Sequence, residues 1–239
     1  MYVNNRGLKE WNLDDSFNDA FNERCAKFGV DKSKVMFYSQ QHEDKYIIQY
    51  ILKDKIDDGV FLELGACDGL LYSNTKMLED HFGFKGILIE PLPDFYNKLK
   101  QNRPSAETYN YVISNLDEEY INFSGHNAEA GISDLLTENN MSSYKLPNKK
   151  MKDLLVESQF KYIDIFILDV EGAELEVLKS VDFNAIDIYC IFFEAHSNQQ
   201  ERNKKVGDFL KNKGFVYKDR QRGNEVWLNK NSKRAIHFQ

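Results

Sequence analysis

The chain carries an acidic, glycine-containing turn directly after a short apolar segment. The segment is residues 60–64, and the turn holds Gly65, Asp68 and Gly69. An apolar strand that ends in such a turn and leads into a helix is typical of a nucleotide-cofactor site in a doubly wound α/β domain. A dinucleotide loop usually has three glycines, which let backbone N–H groups approach a pyrophosphate. This turn has two, and its carboxylate would repel a pyrophosphate but attract the ammonium and sulfonium groups of S-adenosylmethionine (SAM). The pattern therefore predicts a SAM site.

Acidic residues also follow the other predicted strands. Glu90 ends the second apolar strand at roughly the 20-residue offset from the glycine turn that suits a ribose-binding acid. Asp169 and Glu171 follow a third strand, and Glu194 and His196 follow a fourth. Because ligands bind at the carboxyl ends of the strands in open α/β sheets, we expect these groups to lie at one edge of the sheet.

These groups suggest two ways to assist methyl transfer to a hydroxyl. His196 or Asp169 could take the hydroxyl proton as a general base. Alternatively, some of Asp169, Glu171 and Glu194 could hold a divalent cation, Mg²⁺ or Mn²⁺, since such hard cations prefer oxygen ligands. Asp169 and Glu171 would also complement the dipole of the helix that follows them, by roughly 0.3–1 kcal/mol. We favour Asp169 over Glu171 as the residue of the site.

Strands and helices alternate along most of the chain. Apolar segments predict strands at residues 60–64, 86–90, 163–168 and 186–193. Helical patterns occur at residues 46–52, 73–82, 94–102, 151–158, 172–180 and 198–213. Further β-rich segments are 108–114 and 120–123, with a hairpin over 215–228. Residues 125–147 predict a long loop that could cover the acceptor. The predicted fold is α/β: a Rossmann-like class I SAM methyltransferase with a mixed seven-stranded sheet, an antiparallel C-terminal hairpin and helices on both faces.

The composition fits one well-packed domain. The 239 residues are 42% hydrophobic, which supports a single α/β domain at 39–239, and residues 1–38 predict an N-terminal helical extension. A net charge of −7 argues against a broad nucleic-acid footprint, and no apolar run approaches a membrane span. Three separated cysteines indicate neither a zinc cluster nor a disulfide framework. We expect a cytoplasmic enzyme with no nucleic-acid partner and no membrane span.

Several motifs, in this order, resemble the FkbM family of SAM-dependent methyltransferases. They are Ser39-Gln40 with Glu43-Asp44, the segment 61–69, Ser73-Asn-Thr75, the segment 85–91 and the segment 169–178. The resemblance runs from about Ser39 to His196, and Leu168 departs from it because the family often has Lys or Ser there. It implies O-methylation of a sugar, glycan or secondary-metabolite hydroxyl, with S-adenosylhomocysteine (SAH) as product.

The resemblance also implies roles for individual residues. Glu90 would bind the ribose, and Asp169 and Glu171 would border the methyl-transfer centre. The full set of predicted cofactor-binding residues is Gln40, Asp44, Glu63, Gly65, Ala66, Asp68, Gly69, Asn74, Glu90, Pro91, Ser114 and Asp169. The predicted catalytic residues are Asp169, Glu171, Glu194 and His196.

Functions of other classes fit the sequence less well. A nicotinamide oxidoreductase shares the fold, but the loop carboxylate and the missing third glycine disfavour it. A nucleic-acid base methyltransferase would normally show an Asn/Asp-Pro-Pro-aromatic loop where this chain has Asp169-Val-Glu-Gly172. Two alternatives stay open: methylation of a secondary-metabolite hydroxyl, and a non-catalytic SAM-binding module of a larger glycan-assembly protein.

Overall fold

The main sheet has seven strands in the order β10–β11–β9–β8–β1–β2–β3. The computed structural model describes residues 15–52, 57–125, 130–133 and 143–238. The strands of the main sheet are β1 (Val60–Leu64), β2 (Lys85–Ile89), β3 (Glu107–Tyr109), β8 (Tyr162–Leu168), β9 (Asp187–Glu194), β10 (Phe215–Gln221) and β11 (Asn224–Asn229). The first five strands are parallel, and β10 and β11 form an antiparallel hairpin that pairs with β9 through β11. The predicted mixed sheet and its C-terminal hairpin are confirmed.

Helices cover both faces of this sheet. They are α1 (Asp15–Phe28), α2 (Glu43–Tyr46), α3 (Lys76–Phe82), α4 (Pro93–Asn102), α5 (Met151–Glu157), α6 (Glu174–Lys179) and α7 (Gln200–Asn212). A π-helical segment, Ile47–Leu52, continues α2, and short 3₁₀ helices lie at Lys32–Lys34 and Lys233–Phe238. One apolar cluster packs helices α1, α2, α3 and α4 against one face of the sheet. A second cluster packs helices α5, α6 and α7 against the other face. Within the described residues, no helix is long and apolar enough to cross a membrane.

Strand β1 lies at the switch point of the sheet. All five of its residues are buried, which explains the unbroken apolar run in the sequence. The chain leaves the strand at Gly65, whose φ of +79° only glycine adopts without strain. A Cβ at Gly65 would lie 2.1 Å from the backbone oxygen of Asp169, so the turn after β1 touches the end of β8. Since β2 and β8 flank β1, the crevice for a ligand lies above these three strand ends.

A second, four-stranded sheet is inserted between β3 and α5. It has the order β4–β7–β5–β6 and consists of β4 (Val112–Ile113), β5 (Tyr120–Ser124), β6 (Gly131–Ile132) and β7 (Ser143–Lys149). The prediction of an unstructured loop over 125–147 was therefore wrong at β6 and β7. Residues 126–129 and 134–142 lie outside the described residues, so the proposed lid is untested there. The inserted sheet packs its own apolar cluster, including Ile121 and Phe123, against Leu92 and Ala173 of the main domain.

The amino-terminal part of the described chain packs against the core. Phe17 and Phe21 of α1 stack with ring centroids 5.4 Å apart, and both contact Phe37. These rings belong to the cluster that covers one face of the main sheet. A helix in this part of the chain was expected. The division between an extension and a domain at residue 38 stays a prediction.

Candidate active site

A cleft opens above the carboxyl ends of β1, β2 and β8, with the inserted sheet as its far wall. Of the predicted cofactor residues, Gly65, Glu90, Pro91 and Asp169 line it. The remaining wall is largely apolar and comes from both sheets, with Leu64, Ile89, Leu92, Val112, Ile113, Phe123 and Ile132. An apolar cleft with a few convergent polar groups is the usual form of a small-molecule site, and it suits a nucleoside.

Glu90 is the buried acid of this cleft. Its Oε2 accepts a hydrogen bond from the Cys67 N–H at 2.9 Å, and its Oε1 accepts one from the Leu92 N–H at 2.8 Å. Burial raises the pKa of Glu90 to about 7, although both N–H groups act in the opposite direction. Each carboxylate oxygen has the capacity for a second bond, so Glu90 can accept the two hydroxyls of a ribose.

The two predicted acids around the turn after β1, Glu63 and Asp68, form hydrogen bonds with the protein itself. Glu63 is buried and accepts hydrogen bonds from Ser73 Oγ at 3.1 Å, Asn74 N at 2.7 Å and Thr75 Oγ1 at 2.5 Å. Asp68 Oδ1 accepts from the backbone N–H groups of residues 70 and 71 at 3.0 and 2.7 Å. Both acids therefore shape the loop that surrounds the cofactor position. Direct contact of either with a cofactor stays a prediction.

The other predicted cofactor residues lie at the ends of three strands. Ala66 donates its N–H to Ile89 O at 3.2 Å, and Gly69 has a φ of +81°, so both belong to the turn after β1. Pro91 follows β2 at the cleft. Ser114 follows β4 of the inserted sheet, where its hydroxyl donates to Asn148 Oδ1 at 2.9 Å.

The strap, defined here as residues 39–46, crosses the same edge of the sheet. Asp44 is buried, and it accepts bonds from the backbone N–H groups of residues 38, 39 and 45 and from the Ser39 hydroxyl, so it shapes the strap. Gln40 is exposed. Ser39 pairs with Tyr72 of the first loop. At its other side the strap meets the β10–β11 turn, because Gln41 Oε1 accepts the Gly223 N–H at 3.1 Å.

Glu43 is a buried acid of the strap that the sequence analysis did not select. Its Oε2 accepts from Gln41 N at 2.9 Å, and its Oε1 accepts from Asn224 Nδ2 at 2.8 Å. Burial raises the pKa of Glu43 to about 7, and its charge contributes to raising the pKa of Asp169. The signal was a pair of carboxylates before an apolar helix, but the sequence does not reveal which of the two faces the sheet.

The four predicted catalytic residues lie at the ends of β8 and β9. Asp169 is open to the cleft, yet surrounding protein atoms desolvate its carboxyl group and, with the nearby charge of Glu171, raise its pKa. Desolvation and the charges of Asp169 and Glu171 also raise the pKa of Glu194. Glu171 has a φ of +50°, an uncommon conformation for a non-glycine residue. This edge therefore disfavours additional negative charge and favours a cation.

His196 lies beside Glu194. Its Nε2 is 3.0 Å from Glu194 Oε2, and the imidazole is 40% exposed. Burial, followed by the charge of Arg202, lowers the pKa of His196, so the ring is mainly neutral at pH 7. A neutral imidazole can accept a proton, and Glu194, once ionised, would stabilise the imidazolium.

Glu171, Glu194 and His196 also form a group that could hold a metal ion. One ligand atom from each lies within 4.8 Å of the others. The sequence analysis selected Asp169, Glu171 and Glu194; the structure groups His196 with the two glutamates, and Asp169 is outside this set. Two carboxylates and an imidazole suit a cation such as Mn²⁺. The bound ion would supply Lewis-acid polarisation of an acceptor oxygen.

The sheet order, the switch-point cleft and the buried acid at the end of β2 together define a class I SAM-dependent methyltransferase. The family model described as the methyltransferase FkbM domain matches residues 63–217. The chain belongs to this family, and SAM is its cofactor. The resemblance that the motifs suggested is confirmed.

Solved structures of other methyltransferases are similar to this chain, with TM-scores below 0.5. Fibrillarin from Aeropyrum pernix, with natively bound SAM, is 12% identical, with 77% of this chain and 69% of that chain covered and a TM-score of 0.44. A TehB-like SAM-dependent methyltransferase from Corynebacterium glutamicum is 13% identical, with coverages of 90% and 98% and a TM-score of 0.42. Precorrin-6y C5,15-methyltransferase from Geobacter metallireducens is 12% identical, with coverages of 86% and 94% and a TM-score of 0.44. None of the curated protein sequences matches the chain.

Proposed function

We propose that this protein is a SAM-dependent O-methyltransferase that methylates a hydroxyl of a sugar or glycan. The observation that carries the proposal is the pairing of His196 with Glu194, at 3.0 Å, at the sheet edge that also holds Asp169. This edge offers a proton acceptor and several carboxylates that can accept hydrogen bonds from hydroxyls. A polyhydroxylated acceptor suits such an edge, whereas the phosphates of a nucleic acid would be repelled by it.

The proposed reaction is an in-line displacement. The acceptor oxygen attacks the methyl carbon of SAM, a carbon–oxygen bond forms, and the carbon–sulfur bond breaks with its electron pair passing to the sulfur of SAH. His196 takes the hydroxyl proton, and Glu194 stabilises the resulting imidazolium. Because SAM is already activated, positioning and the exclusion of water supply most of the rate.

A cation-assisted version of the same reaction is the second candidate, favoured by the grouping of Glu171, Glu194 and His196. In it, these side chains would hold Mg²⁺ or Mn²⁺, and the ion would supply Lewis-acid polarisation of the acceptor hydroxyl. Exhaustive EDTA treatment separates the two versions. Full activity after EDTA supports the base mechanism, and loss that is restored by added Mn²⁺ supports the cation.

The acceptor class is tested with methyl-labelled SAM and a panel of oligosaccharides, free sugars, hydroxylated small metabolites and RNA. We expect label on a sugar oxygen, identified by the carbon chemical shift of an O-methyl group. His196→Gln should lower the rate of transfer by about 10²–10⁴-fold. His81→Gln, on the helix α3, is the matched control and should retain it.

Other results would contradict the proposal in distinct ways. Label on RNA, or on nitrogen, would refute sugar O-methylation. Label confined to the small metabolites would support the secondary-metabolite alternative. Tight binding of SAH without transfer to any member of the panel would favour a non-catalytic SAM-binding module.

A further inference from the structure

The first cofactor loop is defined here as residues 65–75. Side chains at the carboxyl end of α4 form hydrogen bonds with the backbone of this loop. Asn102 Nδ2 donates to Asp68 O at 2.7 Å, and Arg103 Nη1 donates to Gly69 O at 3.2 Å. Both carbonyls belong to the turn that follows β1. Helix α4 therefore fixes the backbone of the loop at two successive residues.

Arg103 makes the more extensive contacts of the two. Its side chain is fully buried, and Nη1 also donates to Ser73 Oγ at 3.1 Å while Nη2 donates to Thr75 Oγ1 at 3.1 Å. Its Nε pairs with the carboxylate of Glu79 in α3, and its guanidinium lies 5.3 Å from the centroid of the Phe61 ring of β1. One planar side chain thus joins the loop to α3, α4 and β1.

The contacts of Arg103 continue through two hydroxyls to Glu63. The hydroxyls of Ser73 and Thr75 donate their protons to Glu63, so their lone pairs are available to accept from the guanidinium. Each hydroxyl therefore bridges a buried cation and a buried anion that are not in direct contact. A lysine could not reproduce this arrangement, because it lacks the rigid fork of donors.

The loop backbone also rests on the stem of this arginine. Gly69 has a φ of +81°, and a Cβ at this position would lie 2.7 Å from Arg103 Cγ. The guanidinium and its stem therefore contact the same turn from one side. The opposite side of that turn, at Gly65 and Cys67, lines the cleft.

We propose that Arg103 is a positioning residue for SAM, which holds the first cofactor loop in its binding conformation from the side opposite the cofactor. The inference rests on the SAM site and not on the identity of the acceptor. Arg103 itself does not line the cleft, so its effect passes through Gly69, Ser73 and Thr75. Binding of SAH needs no acceptor and therefore tests this inference separately from sugar methylation.

The test compares Arg103→Lys with Arg24→Lys by calorimetry with SAH. Arg24 is also fully buried and lies among the rings of Phe28, Phe82 and Phe84, away from the loop. Both variants should lower the melting temperature. We expect Arg103→Lys to raise the Kd for SAH about tenfold or more, and Arg24→Lys to leave it within about twofold of the wild type.

Amide hydrogen exchange supplies a local measurement. The N–H groups of Leu70 and Leu71 donate to Asp68. Their exchange rates should be higher in Arg103→Lys than in the wild type and should be unchanged in Arg24→Lys. An unchanged Kd together with unchanged exchange at these amides in a destabilised Arg103→Lys would overturn the proposal and leave Arg103 a purely structural residue.

A second pair of variants applies if Arg103→Lys does not fold. Thr75→Val keeps the shape of the side chain but removes the bridging hydroxyl, whereas Thr75→Ser keeps the hydroxyl. We expect the Kd for SAH to rise in Thr75→Val and to remain near the wild-type value in Thr75→Ser. Equal Kd values for the two variants would overturn the proposal. If the wild type itself fails to bind SAH, the SAM site and this inference fall together.

Discussion

The affinity of the cleft for a ribose should increase as the pH rises through 7. Glu90 has a pKa raised to about 7 by burial, so much of the empty protein carries a protonated Glu90 at pH 6. A carboxylate is a stronger acceptor than a neutral carboxyl group, since hydrogen bonds to charged groups contribute about 1.5–3 kcal/mol against about 1 kcal/mol for neutral pairs. Ribose binding should therefore require loss of the Glu90 proton.

The magnitude follows from this pKa. If only the ionised form binds, a group with a pKa of about 7 weakens the apparent affinity about tenfold at pH 6 and hardly at all at pH 8. The stability of the ligand-free fold changes in the opposite direction. The pKa of Glu90 in the folded protein lies above its ordinary value of 4.5. The contribution of Glu90 to the free energy of unfolding is therefore fully present below pH 4.5 and is lost as the pH rises through about 7.

The assay is calorimetry with adenosine at pH 6, 7 and 8. Adenosine carries the ribose but has no α-amino group whose own titration would confuse the result. Binding at pH 6 should release nearly one proton, which the dependence of the measured heat on the buffer would show. Glu90→Gln should bind more weakly and with no pH dependence. Glu43→Gln is the matched control, because Glu43 is another buried acid of this edge whose pKa is about 7, and it should keep the wild-type pH dependence.

Two results would refute the reasoning. The first is a wild-type Kd for adenosine that does not change between pH 6 and pH 8. The second is a pH dependence that persists in Glu90→Gln and disappears in Glu43→Gln, which would assign the titration to the strap.

Three further predictions concern catalysis, the glycine turn and the fold. His196→Gln should lower kcat, measured by turnover of labelled SAM, by about 10²–10⁴-fold. The Kd for SAH, measured by calorimetry, should not change. Full activity of this variant would exclude His196 as the base. Gly65→Ala should abolish SAH binding, since its Cβ would lie 2.1 Å from Asp169 O at a φ of +79°, and binding within tenfold of wild type would contradict this. Arg234→Leu should reduce the free energy of unfolding by about 3–5 kcal/mol in a urea titration, because the buried Asp164 loses its partner at 2.8 Å; a change below 1 kcal/mol would be inconsistent with that role.

The main sheet was predictable because its central strands are buried on both faces. The runs that became β1 and β8 are apolar over most of their length, and such runs are typical of parallel strands. The offset from the glycine turn to Glu90 also follows from the geometry of one strand–helix–strand unit, and it placed this acid in the cleft.

The inserted sheet was harder to predict. Strand β7 has the sequence Ser-Tyr-Lys-Leu-Pro-Asn-Lys, with Leu146 as its one buried residue. Pro147 within a run of this kind normally argues against a strand. Here it pairs with Tyr120 near the start of β5, and the bonds between the small strands outweigh the local preference.

Side-chain partners were the least predictable feature. Sequence position placed Glu63 at the end of β1, but it could not show that its carboxylate faces residues 73–75. Arg103 contacts Gly69 across 34 residues of chain. Contacts of this kind depend on the packing of separate helices and carry no local signature in the sequence.

The contact between the strap and the β10–β11 turn joins Gln41 to Gly223, which are 182 residues apart. During synthesis, β1, β2 and the loop between them leave the ribosome long before the hairpin does. A nascent chain can therefore pack its first strands and helices while the strap still lacks its second anchor. Closure of this edge must wait for the hairpin, so the strap gains its full set of contacts late in the biosynthesis of this molecule.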